Sequence, residues 1–364
     1  MKLESPHVLV LIFAMIIAQQ RWETKPELYE AKDFDFRVYC SMYYDDAIRD
    51  KFREKRDFLK DSYLVTIKDT LTTDKDGNQQ QRLTYCGLTR TWDGKCEDAK
   101  YVCSAPGPAF DVLKNVPIYV VWRNEIKEYD FNLMDLPNEH SVEIADCYNT
   151  TAIDLYGKPH RCFPKQKKKG FEEFTYYEPT DLRDTHDSYE KAEVALDNVI
   201  VSPHIHGLEV RPAFDGNPLS WFGKSGVGVG YLSAEMKYFQ DVPKRIQKII
   251  NFVRAEDERL GYRSKFNIYH NTQHPGPLFY HDHGMSTTGE NVYKGLAGMY
   301  LIREKDEEKK YELPSREYEE IILINNQHTK KDETYHAFQS KVETFKRNAT
   351  YRFRILSNDI LMHF

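Results

Sequence analysis

Two short runs of the form His-x-His set the tightest limit on what this chain can fold into. His204 and His206 lie in Val-Ser-Pro-His-Ile-His-Gly-Leu, and His281 and His283 in Phe-Tyr-His-Asp-His-Gly-Met-Ser. In a β-strand successive side chains alternate between faces, so residues two apart point the same way. Each pair therefore offers two imidazoles to one side, and two such strands can converge on a late transition metal, for which imidazole is a preferred ligand. Spacing alone leaves a second reading open, because histidines on the apolar face of a buried strand also serve as hydrogen-bonded core residues.

The start of the chain reads as a transport signal. Lys2 precedes an eleven-residue apolar run, Val8 to Ala18, that Gln19-Gln20-Arg21 closes. A bilayer span needs about 20 such residues. Residues 1–18 are therefore expected to be a secretory signal peptide cleaved near Ala18, with a buried N-terminal helix as the alternative. Six cysteines, Cys40, Cys86, Cys96, Cys103, Cys147 and Cys162, agree with export. An even count with no Cys-x-x-Cys spacing points to three disulfides of open pairing rather than a cysteine zinc site. Asn149-Thr150-Thr151 and Asn348-Ala349-Thr350 are glycan acceptor sequences, which place both segments at the surface. The expected location is secreted or extracytoplasmic, with no membrane span.

A net charge of −6 from 51 basic and 57 acidic residues is nearly balanced. It builds no field suited to phosphate backbones, so no nucleic-acid partner is expected. The 25 tyrosines and 20 phenylalanines can fill a β-type core. Tyr63 to Ile67 alternates like a half-buried strand, Asp74 to Asn78 carries turn chemistry, and Arg82 to Cys86 follows as a second strand. Val116 to Trp122 reads as a core strand by its nearly continuous apolar character. Residues 19–60 lack a clean period and are expected to form an irregular or partly helical lead-in.

Two stretches look inserted. Asn124 to Asp197, with its Lys165-Gln166-Lys167-Lys168-Lys169 run, is too long for a sandwich connection and reads as a surface loop, the lysines being either solvated or a patch for an anionic ligand. Asp241 to Gly261 reads as a helix, Asp241 as its N-cap and Pro243 in its first turn. Its apolar stripe Ile246, Ile249, Ile250 and Val253 is either a packing face or a substrate lid.

Further motifs bracket the histidines. Asn291-Val292-Tyr293-x-Gly295-Leu296-Ala297-Gly298 follows the second pair, and Asp215-Gly216-Asn217-Pro218 with Trp221-Phe222 follows the first. Pro106-Gly107-Pro108, Leu313-Pro314-Ser315 with Glu317-Tyr318, and Tyr351 to Leu356 complete a collinear series from about Ser62 onward. This series resembles the multicopper oxidases, particularly the spore-coat laccase and bilirubin oxidase branch. The resemblance implies an all-β fold: a cupredoxin-like Greek-key sandwich over residues 61–303 with insertions at 124–197 and 241–261, then an incomplete second cupredoxin-like domain over 304–364. It further implies copper, with His204 on the type 2 ion and His206, His281 and His283 on the type 3 pair. O2 and a small reducing substrate would be the reaction partners. Asp215 matches an acid that could relay protons to that cluster, or else it caps the Asp-Gly turn. Asp282 would orient a neighbouring imidazole or satisfy backbone groups.

The family pattern also contains a late His-x-x-His-x-His and a His-Cys-His segment, which this sequence does not contain. The expectation is therefore an N-terminal portion of a laccase-like oxidase, without the type 1 site and half the trinuclear site and prone to self-association through exposed strand edges. The alternatives are a secreted copper-binding protein without turnover and a metal-free secreted coat or interaction domain.

Overall fold

The computed structural model describes residues 36–126 and 200–358, apart from 53–56, 74–78, 224–226, 229–230, 232–237, 285–287, 330–331 and 340–345, together with four short strands between 152 and 175. The expected signal peptide, Cys147, Cys162, the Asn149 sequon and most of the 124–197 insertion lie outside the described residues.

The strands in chain order are β1 (Arg37–Tyr39), β2 (Ser62–Thr73), β3 (Gln79–Thr91), β4 (Lys100–Ser104), β5 (Gly107–Leu113) and β6 (Ile118–Asn124). Then come β7 (Ala152–Ile153), β8 (Pro159–His160), β9 (Phe163–Lys168), β10 (Phe171–Thr175), β11 (Pro203–His206), β12 (Arg263–Tyr269), β13 (Gly276–Asp282) and β14 (Ala297–Arg303). The last three are β15 (Glu319–Thr329), β16 (Asp332–Gln339) and β17 (Arg352–Asn358). The described α-helices are α1 (Asp46–Lys51), α2 (Lys244–Leu260), α3 (Thr288–Tyr293) and α4 (Lys305–Lys310). Among the described residues, no helix is long and apolar enough to cross a membrane.

One mixed sheet carries ten of these strands, in the order β11-β13-β14-β5-β1-β3-β2-β6-β12, with β4 on β3. It curls until its two ends face each other across a shared aromatic core. Tyr280 of β13 lies 5.0 Å from the Tyr85 ring of β3 and 5.8 Å from Trp122 of β6, with Phe110 of β5 against Tyr280 and Trp122. All four rings are fully buried. Facing rings at these separations prefer the tilted and edge-on packing seen here. Gly107 and Gly298 flank Tyr280, whose hydroxyl would lie 2.3 and 2.4 Å from a Cβ at either position. That hydroxyl donates to the Pro108 carbonyl at 2.6 Å, so the hydroxyl end of the ring is fixed. This curled, strand-rich half-barrel is the all-β architecture that the sequence implied.

A second cluster covers the outside of the sheet. Ile246, Ile249, Ile250 and Val253 of α2 bury themselves against Val121, Phe214, Phe266 and Ile268, so the apolar stripe is a packing face. Helix α2 ends as expected at Gly261, whose φ of +72 is the left-handed conformation a C-cap uses. Its start differs from expectation. Asp241 belongs to a short 3-10 turn, and Pro243 in extended conformation occupies the cap position. Proline biases the residue before it away from helix, so Val242 is extended and the helix cannot be continuous with the turn that holds Asp241.

The sheet β16-β15-β17 packs onto the first through Ile321, Leu323 and Leu356, which meet Phe36, Trp92, Met299 and Leu301. Polar contacts reinforce this seam. Glu319 of β15 accepts from Arg303 of β14 at 2.5 Å and from Arg354 of β17, while Asp111 of β5 pairs with Arg303 and Arg316. On the opposite face of β17, an edge strand among the described residues, Phe353 and Ile355 are 46% and 55% exposed.

Two further expectations need correction. The lead-in is partly helical, as one expected reading had it, with α1 between two 3-10 turns, but it also supplies a strand, since Arg37–Tyr39 inserts between β3 and β5 and is too short to show a period. The strand expected from Val116 starts at Ile118, because Asn115 adopts φ +62 and holds a turn. Two of the expected disulfides join the described cysteines, Cys40–Cys96 and Cys86–Cys103, while Cys147 and Cys162 lie outside the described residues.

Candidate metal centre

The two histidine pairs lie on adjacent strands. β11 runs antiparallel to β13 with His204 directly opposite His281, Ile205 opposite Tyr280 and His206 opposite Phe279. Alternation sends Ile205 and Tyr280 into the core and leaves the imidazoles on the other face. His283 extends the same ladder, its amide donating to the Ser202 carbonyl at 3.0 Å. From His204, ring centroids lie 5.6, 5.3 and 5.1 Å from His206, His281 and His283. The His206 ring stacks on Phe279 at 4.8 Å, which fixes an otherwise exposed side chain.

Backbone carbonyls set the tautomers. His204 Nδ1 lies 2.5 Å from the Asp215 carbonyl, and His281 Nδ1 lies 2.6 Å from the Asp282 carbonyl. A carbonyl only accepts, so each Nδ1 carries the proton and each Nε2 keeps a free lone pair. Burial pushes the His281 imidazole down to about 3 and lowers His204 as well. Both rings are therefore neutral near pH 7, the form that binds metals. The buried Nδ1 of His283, whose ring lies beside those of His204 and His281, has no hydrogen-bond partner, an orphaned lone pair or N–H.

Nitrogens of His204, His206 and His281, one from each, lie within 4.8 Å of one another. One ion with bonds of about 2.0 Å spans at most about 4 Å between donors. The group is thus slightly wider than a single ion's shell. An all-imidazole donor set suits copper or another late transition metal and not magnesium or calcium. On donor chemistry, tautomers and the orphaned nitrogen, the four residues fit copper.

Asp215 closes the 3-10 turn Pro212–Phe214, and its Oδ1 is 3.2 Å from His204 Nδ1 with the side chain about a third exposed. The turn depends on Gly216, at φ +70, where a Cβ would stand 2.0 Å from the Pro203 carbonyl oxygen. Asp282 is fully buried and turns its carboxylate to backbone amides and Asn291 instead of toward the imidazoles. Ser202 and Asn291 escaped the sequence reading as site-shaping residues. The signal lay in Asn291 opening the Asn-Val-Tyr stretch just after the second pair.

Comparison with known proteins places relatives around this geometry. The chain matches no protein-family model. A laccase of Bacillus subtilis (strain 168) is 26% identical over 229 residues, covering 62% of this chain and 29% of that protein. The bilirubin oxidase of Albifimbria verrucaria is 41% identical over 78 residues, 21% of this chain and 14% of its own length. Among solved structures, the McoA multicopper oxidase from the hyperthermophile Aquifex aeolicus superposes with a TM-score of 0.39 at 15% identity, over 82% of this chain and 44% of that one. The chain spans less than a third of the length of the curated relatives it matches.

Proposed function

We propose that this chain, similar over part of its length to a laccase and a bilirubin oxidase, supplies copper ligands to a laccase-like multicopper oxidase. That enzyme would couple oxidation of phenolic, tetrapyrrole or metal-ion donors to reduction of O2 to water. The supporting observation is the convergence of four imidazoles, with His204 opposed to His281, on the outer face of the β11/β13 ladder. His204 would hold the type 2 ion, and His206, His281 and His283 the type 3 pair. Copper bound there would supply the one-electron redox chemistry that O2 reduction requires.

The chain's own residues do the positioning. The carbonyls of Asp215 and Asp282 keep Nε2 of His204 and His281 unprotonated and aimed outward. The strand ladder holds the rings without reorganisation, and the exposed His206 leaves an approach for a small molecule. Asp215, beside His204 and partly open to solvent, would pass protons inward. Four imidazoles shared over three ions leave each with one or two protein ligands, so the remaining donors and the electron-entry site would come from polypeptide beyond these four. The two disulfides support an oxidising, extracytoplasmic location. Phe353 and Ile355 would favour self-association along β17.

A second reading, a copper-binding protein without turnover, is favoured by the donor count, since four imidazoles suffice for one ion. Copper content of the purified full chain, measured beside oxidation of a methoxyphenol and of Fe(II), separates the two. The oxidase reading expects bound copper and donor oxidation once the remaining ligands are present. One copper per chain without turnover in any longer form supports the second. Absence of copper uptake overturns both and leaves a metal-free interaction domain.

A further inference from the structure

One buried carboxylate ties together every segment that carries an imidazole. Asp282 Oδ1 accepts from the Ser202 amide at 2.6 Å, and Oδ2 accepts from the Gly284 amide at 3.0 Å and from Asn291 Nδ2 at 2.9 Å. Asn291 Nδ2 in turn donates to the Ile200 carbonyl at 3.0 Å. Ser202 lies two residues before His204, Gly284 directly follows His283, and Asn291 sits on α3. We propose that the Asp282 carboxylate is a positioning residue that sets the height of β11 against β13, and with it the spacing of His204 from His281 and His283, by holding the Ser202 amide.

The arrangement needs a carboxylate specifically. Three donors converge on its two oxygens, and a carboxamide offers one oxygen and an NH2 group. In Asp282→Asn the favoured flip keeps the oxygen toward Gly284 and Asn291, where it accepts two bonds. The NH2 group then faces the Ser202 N–H, donor against donor, and β11 is released at the point nearest His204. A second substitution reverses the flip. In Asp282→Asn/Asn291→Asp the new carboxylate at 291 accepts from the NH2 group, which turns the carboxamide oxygen back to Ser202. The Gly284 amide, which now faces the NH2 group, and the Ile200 carbonyl lose their partners in exchange, so the double variant regains the β11 pin while losing two buried hydrogen bonds elsewhere.

Stability and metal affinity are therefore expected to move in opposite directions, which a merely structural role would not produce. The metal arm rests on the copper reading above and uses Cu(II) titrated into the full chain against a competing chelator. Asp282→Asn should weaken binding about 10–100-fold, the usual range for loss of an outer-shell partner. The double variant should recover most of that loss although it unfolds at a lower temperature than Asp282→Asn. Wild-type affinity in Asp282→Asn, or an affinity that follows the melting temperature down through both variants, would overturn the assignment. A metal-free arm keeps the two ideas separable. Exchange of the Ser202 amide, read by NMR on the copper-free chain, should accelerate in Asp282→Asn and slow again in the double variant. If the wild type takes no copper, the copper reading fails and this exchange result alone decides, unchanged protection at Ser202 overturning the pin.

Discussion

His204 and His281 are directly opposed partners on the β11/β13 ladder, with ring centroids 5.3 Å apart and each Nδ1 occupied by a backbone carbonyl. Register and tautomer together deliver two Nε2 lone pairs to the same side of the sheet. Neither depends on a metal being present, so the cluster is preorganised by the strands themselves.

That preorganisation has a pH signature. Burial holds His281 at about 3 in the native state, against roughly 6.5 in an unfolded chain. Between those values the unfolded state binds a proton that the native state does not, so stability falls as pH drops through the window, by up to about 1.4 kcal/mol per unit. Burial lowers His204 in the same sense and raises the Asp282 carboxyl, which acts in the opposite one. Comparing the metal-free wild type with His281→Phe in urea from pH 7 to pH 4 isolates the His281 part. The variant should show the shallower loss, and parallel curves would place the titration elsewhere.

Gly216→Ala should damage the site without touching a ligand. Its Cβ would meet the Pro203 carbonyl oxygen at 2.0 Å in a backbone conformation that disfavours alanine. The turn must move away from β11, taking the Asp215 carbonyl from His204 Nδ1. Copper affinity is expected to fall at least about tenfold, readable by chelator competition, and unchanged affinity would show that His204 needs no such partner.

The two disulfides should differ in weight. Cys40–Cys96 spans 56 residues and Cys86–Cys103 spans 17. Chain entropy assigns about 4 kcal/mol to the longer loop and about 3 kcal/mol to the shorter. Replacing Cys40 and Cys96 by serine should lower the melting temperature more than replacing Cys86 and Cys103, and would also loosen β1 beside Cys40.

Glu319 is the hinge of the seam between the sheets. Although burial would raise it, the Arg303 and Arg354 guanidinium groups hold its carboxyl below the usual range. Glu319→Gln takes a charged partner from the buried Arg354 and the half-buried Arg303, which keep Glu308 and Asp111, and should cost about 1.5–3 kcal/mol. Trp92, with Arg316 and Arg303 4.6 and 5.5 Å from its ring, should report the loss as an earlier fluorescence transition in urea.

Much of the site was legible because it obeys a period. His204/His206 and His281/His283 share a face by strand alternation, and the α2 stripe buries at the four positions its helical spacing marked. What escaped was nonlocal. β1 is held by pairing to β3 and β5 and by the Cys40–Cys96 bridge, none of which a three-residue run can announce. Tyr63 to Ile67 read as half-buried, yet Leu64 packs beneath α2 while Val65 and Ile67 enter the aromatic core, because a helix 180 residues later covers the outer face. The three bonds to Asp282 come from Ser202, Gly284 and Asn291, a convergence that exists only once β11, β13 and α3 are assembled.

The central claim is that these four imidazoles form a copper-binding surface, and copper retained by the full chain after loading and gel filtration tests it most directly. Wild-type protein is expected to keep bound copper, and His204→Ala/His281→Ala is expected to lose it while the two disulfides and the β-sheet circular dichroism persist. Equal copper in the two proteins would contradict the account.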